Sequence, residues 1–239
     1  MNPPFALGSE YRFPPGSLAR PDGLLAWGGD VHPDRLIEAY RNGIFPWYDE
    51  DSPILWWSPE PRGVLRPERI QFSKSLAVSI RKQGFEVRAD TAFEEVMAHC
   101  RADRRTGPSG SWINDDIVAA FVELHQRGIA HSLEVYRSGG LVGGLYGLWM
   151  NGVFCGESMF SVVPDASKTA LVGLAGWMRT EGHPLIDTQL LNPHLESMGA
   201  EPLPREDFER YLPEPQTALC LIDFRAVDWN AFLRRTPEN

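Results

Sequence analysis

The segment HPLIDTQLL, residues 183–191, places two polar side chains in what its flanking residues predict to be a buried strand. Side chains alternate between the faces of a strand, so Asp187 and Gln189 share one face and Ile186 points to the other. Polar residues in a strand usually brace the sheet by hydrogen bonding. Two of them on an otherwise apolar face favour a site instead, where a carboxylate and an amide orient groups or handle a proton. Neither is a strong nucleophile, which favours a reaction on an already activated substrate.

The segment FCGESMFS, residues 154–161, also places a charged residue among apolar ones. Glu157 follows a predicted strand there and is flanked by Phe154, Met159 and Phe160. One interpretation is a solvated loop glutamate beside core residues. The other is an apolar pocket with one anionic wall, which would accept an apolar side chain and a nearby cation.

Tryptophans provide a third candidate surface in GIFPWYDEDSPILWWSPEPRGVL. Trp56 and Trp57 are predicted to be core residues. Trp47 lies in a predicted loop and Trp112 at a predicted helix start, where an indole could stack on a nucleic-acid base.

The elements that must position these residues follow from apolar periodicity, caps and turn signals. The first 65 residues predict loop-rich, aromatic packing around one helix. The remaining residues predict, in chain order, several helices and then three antiparallel strands joined by tight turns such as Asn-Gly. A long helix, the strand with Asp187, a short helix, another helix and a late strand in ALCLIDF are expected to follow. This order predicts an α+β fold with a mixed sheet and helices on its faces.

Composition limits the class of protein. The chain has 239 residues, a net charge of −9 and 43% hydrophobic residues, which is ordinary for a globular protein. Three dispersed cysteines favour a reducing compartment, and no signal peptide or transmembrane run is recognisable, so we expect a cytoplasmic protein.

The net charge disfavours a nucleic-acid partner, yet residues 61–105 hold ten Lys or Arg against six Asp or Glu. That stretch is either chance variation or a basic patch on an acidic body.

Seven blocks in order resemble the bacterial leucyl/phenylalanyl-tRNA–protein transferases: NGIFPWY, PILWWSPEPRGVL, HSLEVY, LVGGLYG, FCGESMFS, ASKTALVGL and LIDTQLLNPHLESMGA. The resemblance runs from about residue 23 to residue 211. The resemblance implies a small N-terminal domain, residues 1–65, and a C-terminal domain similar to the acetyltransferase (GNAT) fold, residues 66–239. It also implies transfer of Leu or Phe, and less readily Met, from aminoacyl-tRNA to proteins that begin with Arg or Lys. The product is a degradation signal, and no cofactor or metal is needed.

The same resemblance implies roles for individual residues. Asp187 and Gln189 are the implied catalytic pair, and Trp47 and Trp112 the implied sandwich for the 3′-terminal adenosine. An implied apolar pocket beside Glu157 holds the aminoacyl side chain and consists of Leu145, Phe154, Met159, Leu171 and Ile186. The candidates for contacts with the tRNA backbone are Lys74, Arg81, Lys82, Arg101, Arg104 and Arg105. A monomer without a membrane partner is expected.

Two alternatives belong to other functional classes. An acetyl-CoA-dependent acetyltransferase needs a glycine-containing pyrophosphate loop before the long helix, but SMFSVVPDASKTAL has no glycine there. A catalytically inert RNA-binding module would not need the face with Asp187 and Gln189. One question stays open, because Ile186 faces away from that pair by strict alternation. Either the pocket wraps around the strand edge or a bulge breaks the alternation.

Overall fold

The structure of the protein is a computed structural model that describes residues 4–49, 52–104, 112–214 and 217–234. Its first half contains β1 (Phe5–Leu7), β2 (Leu24–Gly28), α1 (Pro33–Arg41), β3 (Phe45–Pro46), β4 (Leu55–Trp57), β5 (Arg62–Leu65), α2 (Lys74–Lys82), β6 (Glu86–Ala89), α3 (Phe93–Arg104) and α4 (Asp115–Gln126). Its second half contains β7 (Ala130–Arg137), β8 (Gly140–Met150), β9 (Val153–Ser161), α5 (Ala166–Glu181), β10 (Leu185–Gln189), α6 (Pro193–Ser197), β11 (Glu201–Leu203), α7 (Arg205–Glu209) and α8 (Trp229–Arg234).

Two sheets organise the described residues. The smaller has the order β1-β2-β4-β3, and the larger has the order β11-β5-β10-β9-β8-β7-β6. Within the larger sheet β9 and β10 run parallel and the other neighbouring pairs are antiparallel. The prediction of an α+β fold with a mixed sheet is therefore confirmed.

Helices cover both faces of the larger sheet. One apolar cluster joins α1, α3 and α4 to the smaller sheet and to one face of the larger, and it includes Trp56, Phe121 and Tyr146. A second cluster joins α2, α5 and α8 to the opposite face and includes Trp177 and Trp229. Because apolar area removed from water stabilises a fold in proportion, two buried layers on one sheet make that sheet the rigid centre of the molecule.

Local sequence signals explain where the helices near the centre begin and end. Asn114 and Asn192 cap α4 and α6 by accepting hydrogen bonds from backbone N–H groups three residues later. Helix α5 ends at Gly182, which adopts the left-handed conformation at φ = 75°. The helices and the β-β-β unit expected from the sequence are confirmed.

The late strand expected in ALCLIDF is wrong. Described residues 217–223 form no strand, and a 3-10 turn follows at Phe224–Ala226. The side chain of Asn151 binds the backbone of this segment at Ala218 and Cys220, and the Phe224 ring is fully buried. Side-chain contacts therefore hold the segment on the molecule without a sheet ladder.

Strand β5 has an unexpected place, because it lies between β11 and β10 of the larger sheet although it ends the segment expected to be the small domain. The division at residue 65 stays a prediction. Among the described residues, no helix combines the length and apolar character that crossing a membrane requires.

Candidate active site

A cavity of about 300 Å³ lies where β9 and β10 separate. Their ladder ends at the pair Asp187 and Cys155, whereas β9 continues to Ser161. The residues that follow the last pair on each strand, 156–159 and 188–190, line the cavity, together with side chains from β8, α5, α6 and the segment 45–47. A gap between two parallel strands thus forms a concave site in the middle of the sheet.

This cavity brings together ten residues that the sequence had singled out. They are Trp47, Trp112, Leu145, Phe154, Glu157, Met159, Leu171, Ile186, Asp187 and Gln189. The two groups of polar residues and the aromatic pair lie on four separate segments of the chain, namely β9, β10 and the loops that carry Trp47 and Trp112, and they line one cavity.

The cavity reaches both faces of β10, which answers the question about Ile186. Leu185 belongs to the cluster on one face and Ile186 to the cluster on the other, so alternation holds at this point. The pocket therefore wraps around the strand. An irregularity in the pairing with β5 does occur, but it lies one step later, between Asp187 and Gln189.

Asp187 is completely buried and its carboxylate is fully engaged. The guanidinium of Arg62, on β5, donates from Nε to Oδ1 at 2.8 Å and from Nη2 to Oδ2 at 2.7 Å. The same guanidinium donates from Nη1 to the carbonyl of Gly43 at 2.9 Å and lies 4.8 Å from the ring centroids of both Phe45 and Phe208. Two parallel hydrogen bonds and an aromatic sandwich fix the ion pair in one geometry.

Gln189 turns the chain sharply at the end of β10. Its backbone adopts φ = 63°, a conformation that is uncommon for a residue with a side chain. Its N–H donates to Oδ1 of Asp187 at 2.8 Å, which satisfies the backbone in this turn. The turn directs the amide into the cavity, where Nε2 donates to Oε1 of Glu157 at 2.7 Å.

Glu157 occupies a bulge in β9. In the neighbouring strand β8, Tyr146 lies opposite Ser158 and the next residue, Gly147, lies opposite Gly156. Glu157 therefore has no partner residue in β8. Its Oε1 accepts a hydrogen bond from the hydroxyl of Tyr40 at 2.7 Å in addition to the one from the amide of Gln189. Burial raises the pKa of Glu157 to about 8, although these two hydrogen bonds act in the opposite direction.

The thiol of Cys155 lies close to the two carboxylates but is unsuited to act as a nucleophile. Burial, and next the negative charge of Asp187, raise the pKa of this thiol well above its ordinary value. Since the thiolate is the reactive form, Cys155 remains an inert neutral group. The described lining of the cavity therefore supplies acid-base and hydrogen-bonding groups without an activated cysteine.

Apolar side chains form the wall of the cavity on the α5 side. Leu145, Phe154, Leu171 and Ile186 are buried, and Met159 is partly buried against them. Methionine is unbranched and adaptable, so this wall suits a flexible or planar apolar group.

The two tryptophans differ in exposure. Trp47 keeps 45% of its surface exposed and Trp112 only 9%. The ring of Trp47 is supported by that of Trp57 at a centroid distance of 5.9 Å, and the Trp57 indole donates to the carbonyl of Trp47. Trp47 therefore presents a solvent-exposed aromatic ring at the cavity, and contact with Trp57 fixes its position.

Of the six basic residues expected to contact tRNA, the four whose side chains the structure describes do not form one patch. Lys74, Arg81 and Lys82 are exposed on α2, whose apolar residues pack on the α5 face of the larger sheet. Arg101 lies on α3, which packs on the opposite face, and it is ion-paired with Asp115. Arg104 is the last residue of α3, and the structure does not describe its side chain; Arg105 lies outside the described residues. The expectation of a single patch is corrected to a group on α2 and a separate position on α3, because the sheet lies between the two helices.

Two residues of the site escaped the sequence reasoning. Arg62 is 125 residues from Asp187, and Tyr40 is 117 residues from Glu157. A basic residue at the start of the apolar run RGVL was the available signal for Arg62, since a charge in a buried strand needs a partner. Tyr40 sits on the apolar face of α1 and its sequence context gave no comparable signal.

Comparison with known proteins identifies similar sequences across most of the chain. Residues 64–213 match the family described as leucyl/phenylalanyl-tRNA protein transferase, and residues 29–60 match its N-terminal domain. Curated proteins named leucyl/phenylalanyl-tRNA–protein transferase are similar over most of their length. The one from Nitrosomonas eutropha is 51% identical and the alignment covers 86% of this chain and 88% of the relative. The one from Thiobacillus denitrificans is 52% identical with coverage of 90% and 93%.

Solved structures give a weaker likeness. The structure of L-PGS from Bacillus licheniformis superposes with a TM-score of 0.39 and 10% identity, covering 66% of this chain and 50% of that one. This score is too low to assign the fold, so the acetyltransferase-like architecture stays a prediction.

Proposed function

The chain belongs to the leucyl/phenylalanyl-tRNA–protein transferase family and is an aminoacyltransferase that moves an amino acid from aminoacyl-tRNA to protein; we propose that it transfers leucine or phenylalanine, and less readily methionine, to proteins that begin with Arg or Lys. The new N-terminal residue would mark the acceptor for degradation. We further propose that the enzyme acts as a cytoplasmic monomer.

The observation that carries this proposal is the single cavity that combines an apolar wall, buried polar groups and an aromatic rim. Leucine, phenylalanine and methionine are apolar and unbranched at Cβ, and they suit the wall of Leu145, Phe154, Met159, Leu171 and Ile186. The 3′-terminal adenosine would stack between Trp47 and Trp112, since every base has a π face for an indole.

An aminoacyl ester is already activated, so the enzyme needs chiefly to hold the ester and the acceptor amine together. Such positioning contributes about 7–11 kcal/mol in well-oriented reactions. Asp187, fixed by Arg62, orients the turn that presents Gln189, and the Gln189 amide would contact the amine or the ester carbonyl. No step requires a metal or a cofactor.

Electrostatics would guide both substrates. The exposed cations Lys74, Arg81 and Lys82 on α2 would contact the tRNA backbone, and binding should weaken as salt rises. Affinity that does not change with salt would argue against this contact. The excess negative charge elsewhere in the chain would attract a basic acceptor N-terminus.

The decisive experiment measures transfer of labelled leucine from leucyl-tRNA to two peptides that differ only in their first residue, Arg or Ala. We expect label on the Arg peptide and little on the Ala peptide. Equal labelling of both peptides, or of neither, would contradict the proposed acceptor specificity.

A second measurement tests the pocket by comparing transfer of leucine and isoleucine from their tRNAs. The branch at Cβ of isoleucine should clash with the wall, and misfit of one methyl group discriminates by roughly 10–200-fold. Transfer of isoleucine at the rate of leucine would contradict the assignment of the apolar pocket.

A further inference from the structure

We propose that Glu157, rather than Asp187 or Gln189, is the catalytic base that takes a proton from the attacking amine and delivers it to the leaving 3′-oxygen of the tRNA. The inference rests on the proposed function, because it requires an α-amine as the nucleophile and an ester of the terminal ribose as the donor. The surroundings of the three side chains separate their roles.

Asp187 has no free oxygen for the task. Oδ1 accepts from Arg62 and from the backbone N–H of Gln189, and Oδ2 accepts from Arg62. A proton on Asp187 would displace a guanidinium that has no other carboxylate within reach among the described residues. Because an uncompensated buried charge is costly, Asp187 acts as an orienting group that keeps its ion pair with Arg62.

Gln189 cannot hold the proton, since an amide oxygen is a very weak base. Its Nε2 already donates to Glu157, so its carbonyl oxygen is the atom that remains for the substrate. This oxygen can accept a hydrogen bond from one N–H of the incoming amine. Gln189 thereby positions the amine next to Glu157 without taking its proton.

Glu157 retains an oxygen for the reaction. Both hydrogen bonds that it accepts, from Tyr40 and Gln189, end on Oε1. No hydrogen bond from the described residues ends on Oε2, and Glu157 lines the cavity. The bulge in β9 is what turns this carboxylate towards α1 and Gln189 instead of leaving it in the regular alternation of the strand.

The proton affinity of Glu157 suits an α-amine. The ionisable groups that face it are Tyr40 from α1, Arg62 from β5, Cys155 from β9 and Asp187 from β10, with Tyr146 of β8 beyond Tyr40. Burial dominates over these neighbours and raises the pKa of Glu157 to about 8. An α-amino group has a pKa of about 7.7–8.0, so a proton passes between the two with little change in free energy.

The chemical step balances without another reactant. The amine nitrogen attacks the ester carbonyl carbon, a C–N bond forms, and one proton leaves the nitrogen for Oε2 of Glu157. The tetrahedral intermediate then collapses, the bond between the carbonyl carbon and the ribose 3′-oxygen breaks, and that oxygen receives the proton from Glu157. The products are a peptide bond, a free 3′-hydroxyl and the regenerated carboxylate.

The first test is single-turnover transfer of leucine to the Arg peptide by Glu157→Gln. Glutamine has the same shape and keeps an acceptor oxygen for Tyr40 and Gln189, but it cannot accept a proton. General bases contribute about 10²–10⁴-fold, so we expect a loss of at least about 100-fold, whereas Glu94→Gln on the exposed surface of α3 should retain the wild-type rate. A loss smaller than about fivefold would overturn the proposal. Transfer by the wild type to the Arg peptide tests the proposed function separately.

The second test uses Tyr40→Phe, which removes a hydrogen bond that lowers the pKa of Glu157. The single-turnover rate of the wild type should rise with pH to a plateau, and Tyr40→Phe should move the midpoint of this rise to higher pH. If the midpoint belongs to the substrate amine, the variant will leave it unchanged, and the assignment of Glu157 as the base is then wrong. This readout also decides the matter if Glu157→Gln fails to fold.

Discussion

Two carboxylates in one cavity have opposite surroundings. Asp187 on β10 is held by the charged guanidinium of Arg62, whereas the hydrogen bonds that Glu157 on β9 accepts from the described residues come from the neutral donors Tyr40 and Gln189. An adjacent positive charge stabilises the ionised form of a carboxylate, and burial among neutral groups favours the protonated form. The partner supplied by another element, and not the residue type, therefore decides which carboxylate orients and which one exchanges a proton.

The backbone reinforces this difference. Asp187 ends the regular ladder with β9, where its position is fixed by strands on both sides. Glu157 stands at a bulge and Gln189 at a left-handed turn, so both project from irregular backbone into the gap between the strands. Regular structure therefore holds the fixed charge, and irregular structure presents the groups that meet the substrate.

Arg62→Met removes the charged partner of Asp187 and should be the most damaging of the substitutions considered. Methionine leaves Asp187 buried without its partner, so we expect the free energy of unfolding to fall by about 3–5 kcal/mol. Urea denaturation at neutral pH measures this change.

A matched control for Arg62 is Arg88→Met, which breaks an exposed pair with Glu86 and should cost less than about 1 kcal/mol. Combining Arg62→Met with Asp187→Leu should recover most of the loss, because an apolar pair of similar volume can replace a buried ion pair. If Arg62→Met is no more costly than Arg88→Met, the buried pair does not stabilise the site.

Gly63 lies on β5, which pairs with β10, and Gly63→Ala should disturb the turn that follows Asp187. A Cβ at Gly63 would lie 2.8 Å from the carbonyl carbon of Leu190 and 3.0 Å from the hydroxyl of Thr188. Overpacking of this kind costs about 1–3 kcal/mol, which thermal or urea unfolding would detect. At Gly140 the nearest atom to an added Cβ is 3.8 Å away, so Gly140→Ala should be tolerated. Equal stability of the two variants would show that the turn is not tightly packed.

The pH dependence of the free energy of unfolding tests the raised pKa of Glu157. Folding raises the pKa of Glu157 from its ordinary value of 4.5 to about 8, so the native state binds the proton more tightly. The stabilisation is fully present below pH 4.5 and is lost as the pH rises through about 8, at up to about 1.4 kcal/mol per pH unit. Glu157→Gln does not titrate, so the wild type should lose stability relative to this variant across that window. Parallel curves for the two proteins would contradict the raised pKa.

Gln189 joins the two carboxylates, because its backbone N–H donates to Asp187 and its amide donates to Glu157. Gln189→Asn keeps an amide and tolerates the left-handed backbone, but its shorter side chain cannot reach Glu157. Loss of this hydrogen bond should cost about 1 kcal/mol, measured by urea unfolding. Gln71→Asn on an exposed loop provides the control. A cost no larger than that of Gln71→Asn would mean that the bond from Gln189 to Glu157 contributes nothing.

Much of this protein follows from short-range features of its sequence. Apolar periodicity, caps such as Asn114 and Asn192, and the Asn-Gly turn predicted most helices and the β-β-β unit, because these signals act within a few residues of the chain. Alternation made the pair Asp187 and Gln189 conspicuous, and ordered motifs indicated the family. Ten of the residues that line the cavity were recognisable as candidates before their positions in space were known.

The tertiary structure decided which candidates meet and what each can do. The contacts from Arg62 to Asp187 and from Tyr40 to Glu157 join residues more than a hundred positions apart, so no local pattern contains them. Strand β5 enters the sheet beside β10 through long-range pairing, which places Arg62 against Asp187. The sheet also separates α2 from α3, which divided the basic residues that the sequence placed in one stretch. Charge and spacing along the chain specify the groups, but burial and distant partners set their protonation and therefore their roles.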